Sequence, residues 1–162
     1  MKTISILLTS YTDIFSQIVN LFSNGYSHSS ISIDESENIF YSFNRKGFAI
    51  EKPKKYKPKT RKNKYAYIRI QVPDNKYLLI QQEIDNFLKN KNNYKYAKIG
   101  VWLCLFHIPF KFNNKYFCSQ FIASLLTKTE IIKLSKKETL YKPCDFLNKI
   151  ISTYYPLQIE YS

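Results

Sequence analysis

The residues best suited to chemistry in this sequence are a cysteine and a histidine that stand 118 − 28 = 90 positions apart. Cys118 opens the run CSQFIASLL, in which apolar residues recur at helical spacing. Cys118 shares their face, so its thiol is predicted to point toward whatever the helix packs on. A helix N-terminus favours a thiolate and offers backbone N–H donors to an oxyanion. This pattern is typical of a cysteine nucleophile.

Core packing is the alternative interpretation of Cys118. Cysteine is among the residues most often buried, and an apolar environment raises the pKa of a thiol whereas a helix N-terminus lowers it. No Ser, Thr or Asp stands directly before Cys118, and Asn114 is the nearest candidate for a helix cap. The local pattern leaves both interpretations open.

A cysteine nucleophile also needs a base of near-neutral pKa, and the sequence has two histidines. His28 opens the predicted strand HSSISI, whose alternation places it on one face with serines, while Ile31 and Ile33 lie on the other. Small neighbours leave room beside His28 for a side chain from another element. His107 and Cys104 lie in the most hydrophobic segment, residues 97–108, and are predicted to be packing residues.

The elements that must position these residues follow from hydrophobic periodicity. With 162 residues, 44% of them apolar, the chain is predicted to fold as a single domain, 1–162. Strands are predicted at 3–8, 28–33, 39–43, 47–51, 65–72 and 155–161, and helices follow residue 12 and cover about 76–89, 97–108, 118–126 and 145–150. In the first helix, Ile14, Ile18, Leu21 and Phe22 share one face.

A strongly basic segment lies at residues 44–64, which carry ten basic residues and one acid, for a net +9 of the total formal charge of +13. A solvated loop is one interpretation, and a surface that binds an anionic ligand or membrane is the other. Nucleic acid is not favoured, because no recognised binding motif is present and the tyrosines are not interleaved with the basic run. The basic residues are Arg45, Lys46, Lys52, Lys54, Lys55, Lys57, Lys59, Arg61, Lys62 and Lys64.

Three cysteines, Cys104, Cys118 and Cys144, form an odd number without CxxC spacing, so neither a disulfide framework nor a zinc site is predicted. No cofactor is expected. The apolar run at residues 4–8 is far shorter than a membrane span and lacks a small-residue cleavage site. Reduced thiols and the lack of a convincing signal peptide favour a cytoplasmic protein without a transmembrane segment.

Several of these segments together resemble a known family. They are the His28 strand, the hairpin end FYSF, the following GFAIE and the run YFCSQFIA around Cys118. The combination is similar to the circularly permuted, papain-like branch of the NlpC superfamily, the YiiX-like proteins related to lecithin:retinol acyltransferases. In that branch the histidine strand precedes the nucleophile helix, as it does here. The resemblance covers nearly the whole chain and implies an α+β fold with an antiparallel sheet packed against the nucleophile-bearing helix.

The resemblance also implies roles for individual residues. Cys118 would be the nucleophile and His28 the base that deprotonates it, so that attack on an amide or ester carbonyl gives an acyl-enzyme. The Cys118 backbone N–H would face the oxyanion. The family's third, polar residue orients the imidazole, and Ser42 is the matching position, with Asn44 as the nearest alternative. Neither is a carboxylate, so each would stabilise an imidazolium less than a negative charge would.

Three functions remain open at this level. The first is a thiol hydrolase that cleaves an amide bond, with a small peptide-derived substrate. The second is a lipid acyltransferase or phospholipase-like enzyme whose basic segment, Arg45 to Lys64, faces an anionic membrane. The third is a catalytically silent binding module on the same scaffold. Fold resemblance alone does not choose among them.

Overall fold

The computed structural model of the chain describes residues 1–53, 64–149 and 157–161. About half of the predicted basic segment, 54–63, lies outside these ranges, as do residues 150–156 between the last predicted helix and strand. Among the helices in the described ranges, none has the length and apolar character needed to cross a bilayer.

An antiparallel sheet forms the framework of the described residues. The strands are β1 (Lys2–Thr9), β2 (His28–Ser32), β3 (Phe40–Asn44), β4 (Gly47–Glu51), β5 (Tyr65–Val72), β6 (Lys95–Tyr96), β7 (Lys115–Tyr116) and β8 (Leu157–Tyr161). In the part of the chain that is described, six of them form one sheet in the order β4, β3, β2, β1, β5, β8, with antiparallel neighbours throughout. β6 and β7 form a separate parallel pair.

Alternation along β5 sets the inner face of this sheet. Ala66, Ile68, Ile70 and Val72 are buried, as the period-two pattern predicts, because successive side chains of a strand point to opposite faces. β1 lies beside β5 with Ile4 opposite Ile70 and contributes further buried side chains to the same core.

Five α-helices accompany the sheet in the described residues. They are α1 (Ile14–Phe22), α2 (Asp74–Lys89), α3 (Lys98–Leu105), α4 (Cys118–Lys128) and α5 (Asp145–Lys149). Of these, α2, α4 and α5 contribute to the core on the inner face of the sheet. α4 packs against β2 and β3, and its apolar residues Phe121, Ile122, Leu125 and Leu126 are buried in the core. The structure therefore confirms a broad α+β architecture in which an antiparallel sheet packs against the helix that begins at Cys118.

The turn from β3 to β4 requires a glycine at position 47. Gly47 has a φ of +107°, in the left-handed region that other residues rarely adopt, and a Cβ added there would lie 2.5 Å from the carbonyl oxygen of Tyr94. The turn returns the chain alongside β3, with Asn44 opposite Gly47 and Phe40 opposite Glu51. β4 consequently ends at Glu51, the one acid of the basic segment.

The surroundings of α3 differ partly from the prediction. The helix ends at Leu105, and His107 lies beyond it, exposed and with a φ of +62°. The prediction that His107 is a packing residue is wrong, because the chain leaves the helix before reaching it. Cys104 is buried beside Val19 of α1 and Val101, in agreement with its predicted packing role.

Candidate active site

The site is built where the first residue of α4 meets the first residue of β2. Cys118 follows Phe117, whose extended backbone (φ −105°, ψ 166°) and buried ring end the approach from β7 and fix the start of the helix. Because α4 packs on β2, the Cys118 thiol and the His28 imidazole lie close enough for each to shift the pKa of the other. Two side chains that are 90 positions apart in the sequence are thus neighbours in the fold.

The other side of the imidazole faces a carboxylate. His28 Nε2 lies 3.0 Å from both Oε1 and Oε2 of Glu51. With Nε2 held by Glu51, Nδ1 is the ring nitrogen left to meet the thiol. The ring of Tyr11 lies against His28 with centroids 5.3 Å apart. His28 is therefore held from two directions while one nitrogen remains directed at the sulfur.

The charged forms of His28 and Cys118 stabilise each other. Burial disfavours a charged imidazolium, but hydrogen bonds to Cys118 and to Glu51, with their negative charges, outweigh it and raise the pKa of His28 to about 10. Burial likewise disfavours the thiolate, but the hydrogen bond and the positive charge of His28 outweigh it and lower the pKa of Cys118. The arrangement favours a thiolate and imidazolium pair over the neutral thiol and imidazole.

Ser29 adds to the stabilisation of the sulfur. Its backbone N–H and its hydroxyl both favour the charged form of Cys118 and lower the pKa of the thiol. Among the described residues the buried Ser29 hydroxyl has no hydrogen-bond partner. A serine directly after the histidine thus has a role that its small size alone did not indicate.

The third predicted site residue lies elsewhere in the hydrogen-bond network. Ser42 is fully buried, and its hydroxyl donates to the carbonyl oxygen of Ser29 at 2.6 Å. Asn44, the alternative, accepts a hydrogen bond from the backbone N–H of Lys46 in the β3–β4 turn. In the described residues neither side chain is hydrogen-bonded to the His28 ring. The partner of the His28 ring is Glu51, because the end of β4, and neither of these β3 side chains, reaches the imidazole.

The sequence carried a signal for Glu51, although the prediction did not use it. Glu51 is the single acid among ten basic residues in 44–64, and it ends a predicted strand next to the histidine hairpin. An isolated carboxylate within so basic a segment indicates a specific partner. Which strand end comes closest to His28 depends on the twist and stagger of the sheet, and neither can be calculated from strand patterns.

One hollow lies beside Cys118 and another beside His28. The first, of about 20 Å³, is lined by Cys118 and by apolar side chains that include Val19, Val101 and Leu105. The second, of about 250 Å³, is lined by His28 and Glu51 together with charged and aromatic residues of the β3–β4 turn and of the segment before α1. The first has room for about one water molecule, whereas the second has room for a larger group.

Tyr96 lines both hollows and so stands between them. Burial and the nearby charge of Cys118 raise the pKa of the Tyr96 phenol far above its usual range, so it keeps its proton. A neutral phenol is a hydrogen-bond donor as well as an acceptor. The Tyr96 hydroxyl can therefore donate a hydrogen bond in the site while it remains uncharged.

The other two cysteines lie in different environments. All three are free and buried, with 4% of Cys104 and 5% each of Cys118 and Cys144 exposed. Burial raises the pKa of Cys104 to about 12, in contrast to the lowered pKa of Cys118. Among the described residues, no cluster of three His, Cys, Asp or Glu side chains could hold a metal ion.

Comparison with known proteins provides no family assignment. No model of a known protein family matches the chain, and a search of curated proteins finds no significant match.

Proposed function

We propose that this chain is a thiol hydrolase of the amidase type, in which Cys118 is the nucleophile and His28 the base. Glu51 acts as a positioning residue through His28. The observation that carries the proposal is the environment of His28, whose Nε2 lies 3.0 Å from both carboxylate oxygens of Glu51 and whose ring is close enough to Cys118 to lower the pKa of the thiol. A nucleophile, a base and a group that orients the base are the parts that covalent acyl transfer needs.

In the first half of the reaction an acyl-enzyme forms. The Cys118 proton resides on His28, and the thiolate attacks the carbonyl carbon of the substrate, forming a C–S bond. The backbone N–H of Cys118, at the N-terminus of α4, is placed to donate to the oxyanion. The C–N bond then breaks as the His28 imidazolium gives its proton to the departing amine.

In the second half water replaces the amine. His28, now neutral, takes a proton from water as the water oxygen attacks the thioester carbon. The C–S bond breaks, the acid leaves, and the proton on His28 restores the pair with Cys118. Throughout both halves Glu51 accepts a hydrogen bond from Nε2, which keeps Nδ1 directed at the reacting atoms and stabilises the imidazolium.

The order of elements supports a permuted papain-like scaffold of the NlpC type. The histidine strand β2 precedes the nucleophile helix α4, and α4 packs on the antiparallel sheet next to β2 and β3. Glu51 supplies the carboxylate that neither Ser42 nor Asn44 could supply. With Glu51 in the orienting role, the proposed triad consists of a thiol, an imidazole and a carboxylate.

The two hollows suggest where the parts of a substrate lie. The larger hollow beside His28 has room for part of a substrate, whereas the small hollow beside Cys118 has room for about one water molecule, the size of the water that resolves an acyl-enzyme. A second candidate function, cleavage or transfer of a lipid ester, is supported by the apolar side chains Val19, Val101 and Leu105 next to Cys118, and it requires the small hollow to widen when an acyl chain enters.

Trapping of the acyl-enzyme tests both candidates. The protein is mixed with a series of p-nitroanilides and p-nitrophenyl esters of increasing acyl length, and the modified residue is identified by mass spectrometry. We expect a thioester on Cys118 in the wild type and none in Cys118→Ala or His28→Ala. Cys144→Ala is the matched control, because it removes an equally buried thiol.

The pattern across the series separates the outcomes. Turnover of short-chain anilides supports the amidase. Reaction with esters alone, improving with acyl length, supports the lipid enzyme. If no substrate acylates Cys118 and the variants resemble the wild type, the scaffold is a silent binding module and the proposed chemistry is wrong.

A further inference from the structure

The outer faces of α1 and α3 carry an unusual number of exposed apolar side chains. On α1 the exposed residues lie at helical spacing on the side opposite the buried Ser16 and Val19. On α3 they lie opposite the buried Val101 and Cys104. This α1–α3 apolar face consists of Ile14, Leu21, Phe22, Ile99, Trp102 and Phe106, which are 81%, 82%, 54%, 64%, 38% and 71% exposed.

Side chains of α1 and α3 contact each other. The rings of Phe15 and Trp102 meet edge to face with centroids 5.9 Å apart, and Val19 packs with Val101 beneath them. α1 itself has no charged residue, and α3 has one, Lys98 at its start. Large apolar side chains that are exposed together on helices with little charge are typical of an interaction surface.

Basic side chains stand around this face. The Lys142 ammonium donates to the carbonyl oxygen of Phe22 at 2.8 Å, the Arg45 guanidinium lies 5.8 Å from the ring centre of Phe15, and Lys98 is exposed on α3. Arg45 is paired with Asp13 at 2.7 Å, so Lys142 and Lys98 supply the net positive charge here. The border is therefore positive, in keeping with the formal charge of +13 of the whole chain.

We propose that the α1–α3 apolar face docks on an anionic phospholipid surface. Apolar side chains and a tryptophan on one side of a short helix, with lysine or arginine at its border, are the composition of helices that lie in the membrane interface. α1 and α3, of 9 and 8 residues, are too short to cross a bilayer and would lie along it. A second copy of the chain is a poorer partner, because two bodies of charge +13 repel each other.

The docked orientation places the proposed catalytic thiol close to lipid. α1 and α3 supply Val19, Val101 and Leu105 to the small hollow beside Cys118, so that their outer faces rest on the membrane while their inner faces line the site. Docking does not depend on catalysis. It rests on the exposed side chains and their basic border, so a chain without a nucleophile would bind equally well.

The fluorescence of Trp102 gives a direct test, since it is the one tryptophan of the sequence. The protein is titrated with vesicles of phosphatidylcholine alone and of phosphatidylcholine mixed with phosphatidylglycerol, and binding is also measured by flotation. We expect a blue shift and flotation with the mixed vesicles, and weaker binding at high salt or without the anionic lipid. Leu21→Ser/Phe106→Ser is expected to weaken binding by about tenfold or more, since it removes two large apolar contacts.

Two controls make the result specific. Leu78→Ser replaces an apolar residue of α2 that is 55% exposed away from this face, and it should bind as the wild type does. Cys118→Ala should also bind normally, so that loss of catalysis and loss of docking are separate findings. The proposal is overturned if the wild type neither shifts nor floats, or if Leu78→Ser weakens binding as much as the double variant. It is also overturned if the face instead mediates a dimer, seen by sedimentation without lipid and abolished by Leu21→Ser/Phe106→Ser.

Discussion

A carboxylate that contacts one nitrogen of a buried imidazole stabilises the imidazolium, and an imidazolium favours the thiolate form of a neighbouring cysteine. Burial alone would disfavour both the imidazolium of His28 and the thiolate of Cys118. Interaction with Cys118 and with Glu51, which lies 3.0 Å from Nε2, raises the pKa of His28 to about 10, and His28 in turn lowers the pKa of Cys118. In the proposed chemistry the imidazolium is therefore stabilised by an acid on β4, which lies two strands away from the His28 strand, β2, in the sheet order.

Exchange of Glu51 for glutamine tests this dependence. Glu51→Gln keeps the shape and removes the charge, so the imidazolium loses stabilisation and the alkylation rate of Cys118 near pH 6.5 is expected to fall by about tenfold or more. Glu160→Gln, which makes the same change of charge on an exposed partner of Arg69, should leave the rate unchanged. Equal rates in wild type and Glu51→Gln would remove Glu51 from the mechanism.

Exchange of Ser42 should affect stability and leave reactivity intact. Ser42→Ala deprives the carbonyl oxygen of Ser29 of its 2.6 Å hydrogen bond in a fully buried position, which costs about 1–3 kcal/mol of unfolding free energy. Urea denaturation measures that cost, and iodoacetamide labelling of the folded variant should match the wild type. A large loss of Cys118 reactivity in a folded Ser42→Ala protein would return the orienting role to Ser42.

The pH dependence of kcat/KM follows from the two shifted groups. On the acid side activity falls as Cys118 takes up a proton, and this limb lies below the ordinary thiol pKa of 9.0 because the pKa of Cys118 is lowered. On the alkaline side activity falls as His28 loses its proton at about pH 10. In Glu51→Gln the alkaline limb should move to lower pH. A profile that rises once, at the ordinary thiol pKa, would show that no such pair exists.

At the scale of elements, the β3–β4 turn sets the place of Glu51. Gly47 begins β4 in a conformation with φ +107°, and its Cα faces the Tyr94 carbonyl so closely that a Cβ would lie 2.5 Å from the oxygen. β4 runs five residues from there to Glu51. The direction of this short strand, and with it the position of the carboxylate, therefore depends on a residue without a side chain.

Alanine substitutions at two glycines separate the cost of an unfavourable φ from the cost of a steric clash. Gly47→Ala combines an unfavourable φ with contact against backbone and is expected to cost about 2–4 kcal/mol of unfolding free energy. Gly25→Ala also has a positive φ, +88°, but its new methyl would meet the flexible Lys64 side chain at 3.4 Å, so about 1 kcal/mol is expected. Urea denaturation followed by circular dichroism measures both. Equal losses of unfolding free energy in the two variants would show that the steric clash at Gly47 adds no cost of its own.

The elements were largely predictable, because their signals are local. The alternation of β5, the helix that begins at Cys118 and the hairpin opened by His28 all follow from patterns a few residues long. The end of α3 was not predicted, since nothing in the apolar run up to residue 108 indicates that the helix stops at Leu105. His107 consequently lies in solvent although its neighbours in the sequence are hydrophobic.

At the scale of the whole molecule, the candidate site exists because the fold joins distant segments. The pairing of Cys118 with His28 was anticipated through a family resemblance and the scarcity of histidines. Glu51 could not be placed, because its approach to His28 depends on how the sheet twists. The apolar face on α1 was visible as a periodic pattern, but its exposure is a property of the assembled structure.

Because the site is a property of the fold, its reactivity should vanish with the fold. We expect the labelling advantage of Cys118 over Cys104 and Cys144 to disappear in urea in the same transition that removes the circular dichroism signal. In the unfolded chain the three thiols share an ordinary pKa and should react at similar rates. An advantage of Cys118 that persists after unfolding would point to a local sequence effect and not to the His28 contact.

The most direct measurement of the central claim is competitive alkylation of the three cysteines in the folded protein. Iodoacetamide is applied at about pH 6.5, where an ordinary thiol is almost fully protonated, and labelling of each cysteine is followed by peptide mass spectrometry. The three are 4–5% exposed, so a difference among them reports the charge of the sulfur and not its accessibility. We predict rapid labelling of Cys118 alone, lost in His28→Ala. Equal, slow labelling of all three, unchanged in His28→Ala, would contradict the account.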